Sequence, residues 1–199
     1  MEELRDKNGL TESEFLAKYD VTKFERPSVT VDIIIIKDGK VLLIKRGGHP
    51  CLGKLAFPGG FLEMTEDVYT AAARELMEET CLKVKSLRQL NVASTPNRDP
   101  RTRIITVPFL ADIEDPTALK AADDAAEVAW YGISYKTIPF GDKTIFEIAL
   151  NGNDNRYTFK VTKSKDKSGI SADYSYKAMG ENPLAGDHAE ILAMALDNL

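Results

Sequence analysis

The chain has 199 residues, 43% of them hydrophobic and 29% charged, the composition of an ordinary folded protein and not of a disordered or membrane chain. Its formal net charge of −5 argues against broad nucleic-acid binding. The N-terminal MEELRDKNG lacks the apolar core of a signal peptide and the longest apolar run is too short to span a bilayer, so a cytoplasmic protein without membrane contact is expected.

This length suits one domain over 1–199, with an N-terminal helix and lead-in at 1–27, an inserted hairpin and loop region at 134–183, and a closing helix at 187–199. Thr11-Glu12-Ser13-Glu14 is a capping-box pattern ahead of a short helix reaching about Tyr19. Pro27 opens an extended segment. Residues 29–37 and 41–45 are strand-like and joined at Asp38-Gly39, a pairing that favours a tight hairpin. The dense isoleucines imply a strand buried on both faces, between helices.

The loop 46–55 is glycine-rich and offers Lys45, Arg46 and Lys54 to a phosphate, with Arg46 preferred; each reads equally as a solvated surface charge. Cys51 lies in it beside His49 and Pro50, and the chain's two cysteines, Cys51 and Cys81, are too few and too far apart for a disulfide framework or a zinc site. Free thiols are expected.

Phe57-Pro58-Gly59-Gly60 is a turn in which the backbone can approach a ligand. A helix follows, with Thr65 as its expected cap, Glu66 and Asp67 at the positive end of its dipole, and Val68, Ala72 and Leu76 on one apolar stripe. Glu75, Glu78 and Glu79 crowd the edge of that stripe, and Arg74 is placed to hold them. Taken alone the segment could be a solvated acidic helix. Next to the glycine turn, the hard oxygens suit Mg²⁺ or Mn²⁺, with a turn carbonyl completing the shell.

The run Gly60, Glu66, Arg74, Glu75, Leu76, Glu78, Glu79, Cys81, Leu82 resembles the signature of the Nudix hydrolases, with one departure: Cys81 stands at the family's glycine. If that position keeps a left-handed conformation, cysteine costs about 1–2 kcal/mol there. The resemblance implies an α/β/α sandwich with a mixed central sheet. It also implies that Glu75, Glu78 and Glu79 bind metal or take the water's proton, that Arg74 holds them, and that the Gly59 carbonyl is a backbone ligand.

Strand candidates follow at 84–93 and 104–111. The loop between them carries Arg98, Arg101 and Arg103 among stiffening prolines, an anion clamp on one reading and a surface turn on the other. Its run Asn97-Arg98-Asp99-Pro100-Arg101-Thr102-Arg103 looks like the segment found in the ADP-ribose pyrophosphatase branch and in related ADP-ribose-sensing regulators. A helical turn is expected at 117–122 in the loop 112–126; the resemblance implies a carboxylate outside the signature that assists the attacking water, for which Asp123, Asp124 and Glu127 are candidates, and they read equally as residues that only keep the loop soluble. Residues 144–150 and 156–162 alternate around an asparagine-rich turn, a hairpin signal, with a further short strand near Tyr174. The insertion they form could be a lid, a dimer contact or nothing beyond filling. Asp187 and Glu190 suggest a capping box for the last helix, and His188 in its first turn could contact substrate but reads first as a packing or capping residue.

The resemblance implies Mg²⁺-dependent hydrolysis of a nucleoside diphosphate linked to another moiety, with ADP-ribose the leading small-molecule substrate; a reduced dinucleotide or nucleotide sugar are the alternatives within that class. From a different class comes an ADP-ribose-sensing regulator with little hydrolysis, disfavoured because the tail lacks a basic recognition helix. Relatives often dimerise through N-terminal strands, and the segment after Pro27 permits a homodimer.

Overall fold

The computed structural model describes residues 3–120, 127–152, 154–165 and 174–199. Helix α1 (Glu12–Lys18) is capped by Thr11, whose hydroxyl accepts from Glu14 N while the Glu14 carboxylate accepts from Thr11 N. The capping box expected there is formed. Strands β1 (Ser28–Ile34), β2 (Ile36–Lys37) and β3 (Lys40–Lys45) follow, then β4 (Leu55–Ala56), β5 (Gly59–Phe61), α2 (Val68–Thr80), β6 (Val84–Gln89) and β7 (Ile104–Ile113). The chain continues through β8 (Glu127–Phe140), β9 (Lys143–Asn151), β10 (Arg156–Lys165), β11 (Tyr174–Met179) and α3 (His188–Asp197).

Among the described residues the strands form two sheets. The first is mixed, in the order β5-β1-β7-β6, with β1 parallel to β7; the second is antiparallel, in the order β11-β10-β9-β8-β3-β2 with β4 on the edge of β3. Helix α2 covers one side and α3 the other, so the expected α/β/α arrangement with a mixed sheet is present. The segment 29–37, however, is not one strand. Ile34 pairs with Leu110 in the first sheet while Ile36 pairs with Val41 in the second, and Ile35 is the crossing point.

Burial explains why isoleucine recurs there. Ile33 and Ile35 pack into the core under α2, Ile34 into the core under α3, and all three are at most 1% exposed. A strand between two apolar layers has no polar face to alternate with. The Asp38-Gly39 turn has φ of 50° and 70° at its two residues, the left-handed pair that a tight hairpin with native twist demands.

Two helix starts differ from expectation. Helix α2 begins two residues later than Thr65 suggests, because the Asp67 carboxylate accepts from both Tyr69 N and Thr70 N at 2.9 Å; Glu66 is occupied elsewhere. Asp187 precedes α3 without a side-chain cap bond. Its carboxylate is bound to Arg98, and Glu190 accepts from Ala178 N instead.

Cys81 closes α2 in the left-handed conformation, φ 58°, with its N–H on Met77 O. The described residues of 134–183 begin inside β8 and continue the second sheet as a meander, β8 on β9, β9 on β10, β10 on β11. The hairpin signal marks β9 and β10, and β8 runs on past residue 134 to Phe140. Among the described residues no helix is long and apolar enough to cross a membrane.

Candidate functional site

Helix α2 lies against β5 and β1, which sets its glutamates against the glycine turn. Arg74 is the hub of the acid cluster. Its Nε and Nη2 donate to the two oxygens of Glu66 at 3.1 and 2.6 Å, Nη1 donates to Glu75 at 2.8 Å and Glu78 at 3.1 Å, and Nη2 also reaches the Phe61 carbonyl at 3.0 Å. The Arg74 fork holds Glu66 below the usual carboxylate range, and the same bonds raise the Arg74 pKa further. One guanidinium thus fixes three acids and a main-chain oxygen.

The three signature glutamates differ in environment. Glu78 is solvent-exposed, Glu75 and Glu79 partly buried. Burial raises the pKa of Glu75 against the opposing pull of Arg74. Glu79 is pushed up to about 7, first by burial and then by the neighbouring charges of Glu75 and Asp32, although the Gly59 N–H donates to it at 2.9 Å. Crowded, desolvated carboxylates of this kind are starved of positive charge.

The glycines of the turn are fitted to this cluster. A Cβ on Gly59, at φ 155°, would fall 2.1 Å from the Val31 carbonyl; one on Gly60 would fall 2.3 Å from Glu75 Oε1. The donor set is all oxygen and net negative, which fits a hard divalent cation. Glu75 and Glu78 lean on Arg74 and Glu79 on Gly59. Among the described residues, no three acids, histidines or cysteines yet converge with ligand spacing.

A cavity of about 280 Å³ adjoins the turn, lined by Asp32, Arg46, Gly59, Gly60, Phe61, Glu79, Arg98, Arg101, Asp187 and His188 among others. Three of the four candidate arginines therefore reach it. Arg46 Nε donates to Pro50 O at 2.8 Å. Arg98 forks onto Asp187 at 2.6 and 2.7 Å with only 7% of its side chain exposed, and although burial opposes its charge the Asp187 bonds leave its pKa raised. Arg101 forks onto Asp99 and lies over the Phe61 ring at 5.3 Å. Arg103 does not line the cavity; it is exposed and donates to Thr95 O. Glu127 is likewise exposed, 3.6 Å from Lys45 and away from the lining. Asp123 and Asp124 lie outside the described residues. Lys54 Nζ reaches Asn182 O at 3.3 Å.

Three residues join the site that the sequence did not single out for it. Asp32 on β1 is 8% exposed and accepts from Thr106 Oγ1 at 2.6 Å. His188 Nε2 stands 3.5 Å from Asp32 Oδ1, and Asp187 holds Arg98. A signal for Asp32 was present: a lone carboxylate inside VTVDIIII is a buried charge unless a site needs it.

A helix of clamped acids against a glycine turn, on a mixed sheet between two helices, defines the class. The model of the NUDIX domain matches residues 26–135, more than half of the chain, and the chain belongs to that family. It is 46% identical over 124 residues to an ADP-ribose pyrophosphatase of Methanocaldococcus jannaschii, covering 60% of this chain and 72% of that protein. It is 34% identical over 110 residues to the ADPR responsive transcriptional repressor NtrR of Acinetobacter baylyi, covering 52% of this chain but only 44% of the repressor. Among solved structures, a MutT/nudix family protein from Enterococcus faecalis superposes with a TM-score of 0.69 at 33% identity, over 95% of this chain and 69% of that one.

Proposed function

We propose that the protein hydrolyses the diphosphate of a nucleoside diphosphate linked to another moiety, with ADP-ribose as substrate and AMP and ribose 5-phosphate as products. The observation that carries this is Glu79: a partly buried carboxylate tied to the Gly59 amide, beside Arg74-clamped Glu75, at the wall of a cavity that also receives three arginines. The likeness to the pyrophosphatase of M. jannaschii supports the choice of substrate.

The divalent cation is proposed to be Mg²⁺, with Mn²⁺ as a substitute, held by Glu75, Glu78, Glu79 and the Gly59 carbonyl. When bound it supplies charge for the diphosphate and acidity for a water. The chain's own residues do the rest. Arg74 keeps Glu75 and Glu78 in place, and one of Glu75, Glu78 and Glu79, in its anionic form, accepts the proton of the attacking water. Arg46 and Arg98 set positive charge in the cavity wall to orient the diphosphate. The water oxygen bonds to one phosphorus as the bridging P–O bond breaks, leaving a phosphate on each product.

The test is incubation of purified protein with ADP-ribose and Mg²⁺, with chromatography for AMP and ribose 5-phosphate and Glu79→Gln alongside. Equal turnover by both forms rejects the role given to Glu79. A second reading, an ADP-ribose-sensing regulator with little hydrolysis, draws support from the likeness to the NtrR repressor. Operator binding in a gel shift, together with no turnover on any nucleoside diphosphate derivative, would select it.

A further inference from the structure

The residues that match the NUDIX domain end at 135, yet the first turn of α3 supplies part of the cavity wall. His188 is one of the residues that line it. Its Nδ1 accepts from Phe57 N at 3.1 Å, its ring lies flat on the Phe57 ring at 5.1 Å and 9°, and its Nε2 faces Asp32. An Nδ1 that accepts carries no proton, so a neutral ring directs Nε2–H at the carboxylate. Asp32 is anchored from its other oxygen by Thr106.

Phe57 is where this grip matters. It is 1% exposed, so its amide has no water to turn to and depends on an acceptor. Pro58 has no N–H, which makes the Phe57 amide the last donor before Gly59. The three residues are held by three different elements: Phe57 N–H by His188 of α3, Pro58 O by Ile33 N of β1 at 2.8 Å, and Gly59 N–H by Glu79 of α2 at 2.9 Å. The α3 lead-in is also stitched to β4, through Leu55 N to Pro183 O and Ala185 N to Leu55 O.

We propose that His188, backed by Asp32 and Thr106, is a positioning residue that fixes the Phe57–Gly59 main chain where Glu79 and a bound cation need it. It acts through the Phe57 amide. The claim rests on the proposed hydrolase reading for its consequence in catalysis, while the grip itself is independent of substrate. Partners one step removed from a metal's ligands typically change metal affinity or activity on the order of 10- to 100-fold when lost.

Two substitutions separate this role from simple packing. His188→Phe keeps the flat ring on Phe57 and removes the acceptor. His188→Asn puts an amide oxygen near the position of Nδ1 and removes the ring. Hydrogen exchange of the peptide spanning 55–62, Mn²⁺ binding by electron paramagnetic resonance, and kcat and KM for ADP-ribose are measured on each.

In His188→Phe, exchange at the turn is expected to accelerate, Mn²⁺ binding to weaken on the order of 10-fold or more, and kcat to fall more than KM rises. In His188→Asn all three stay closer to the unmodified protein. The reverse order, with Phe unaffected and Asn loosened, overturns the proposal in favour of packing. If His188→Phe does not melt cooperatively, His188→Asn decides alone: near-native exchange supports the acceptor role and accelerated exchange overturns it. A protein that hydrolyses no ADP-ribose removes the proposed activity, and the exchange and Mn²⁺ measurements still judge the grip.

Discussion

Glu79→Gln separates the stability of this fold from its chemistry. The Glu79 carboxyl has an ordinary pKa of 4.5 and is pushed to about 7 in the folded protein. Between those values the native state holds a proton that the unfolded chain releases, so stability without metal falls as pH rises through this window. The full cost is present above about pH 7 and absent below about 4.5.

At 1.36 kcal/mol per pH unit that interval corresponds to about 3 kcal/mol. The group is only partly buried, and a glutamine retains some cost of burying an amide, so a net gain of about 1–2 kcal/mol is expected above pH 7. Glutamine's carbonyl can still accept from Gly59 N, which keeps the turn in place. For a chain of this length the gain is about 3–6 °C in melting temperature. Thermal melts in EDTA at pH 6 and pH 8.5 read it directly, with the difference between variant and unmodified protein larger at the higher pH. A Glu79→Gln protein that is less stable at pH 8.5, or equally shifted at both values, refutes the reasoning. Turnover on ADP-ribose should be lost in the same variant that gains stability.

The two turn glycines should part company. Gly59→Ala drives a Cβ into the rigid Val31 carbonyl and is expected to cost about 3 kcal/mol or more in urea denaturation. Gly60→Ala meets only the movable end of Glu75, so it should fold with a loss of about 1 kcal/mol or less and lose most of its activity. Cys81→Gly should raise stability by about 1 kcal/mol, since it removes left-handed strain at an exposed residue and returns part of the gain as chain entropy. Arg74→Lys keeps a charge but cannot bond Glu66, Glu75 and Glu78 together. Its kcat/KM should fall by about 10-fold or more, with far-ultraviolet circular dichroism unchanged.

The acid helix shows how much of the site was legible in the sequence. Residues three and four apart on a helix must be neighbours, so the crowding of Glu75, Glu78 and Glu79 around Arg74 follows from their spacing alone. The turn before it was legible for a similar reason, because two adjacent glycines leave room that no side chain fills. The arginine loop was legible only in part. Arg98 and Arg101 reach the cavity while Arg103, two residues on, points to solvent, and nothing local distinguishes them. The capping patterns divide likewise. Thr11 and Glu14 bond each other even though Arg5 shares the Glu14 carboxylate, whereas Asp187 and Glu190 have the same spacing but are claimed by Arg98 and Ala178.

The sequence by itself determined the local geometry: where the acids cluster, where the backbone turns sharply, which strand is apolar on both faces, and that a helix follows residue 187. Contacts between residues distant in the chain were decided only by the tertiary structure. Residues 29–37 divide between two sheets because Ile34 and Ile36 find different partners, a choice made by strands far apart in the chain in the case of β1 and β7 and by a hairpin in the case of β2. Asp32, Thr106 and His188 meet for the same reason, a buried carboxylate being tolerable only where packing delivers a hydroxyl and an imidazole from elsewhere in the chain. Periodicity records which face of an element is apolar; it carries no record of which partner covers that face.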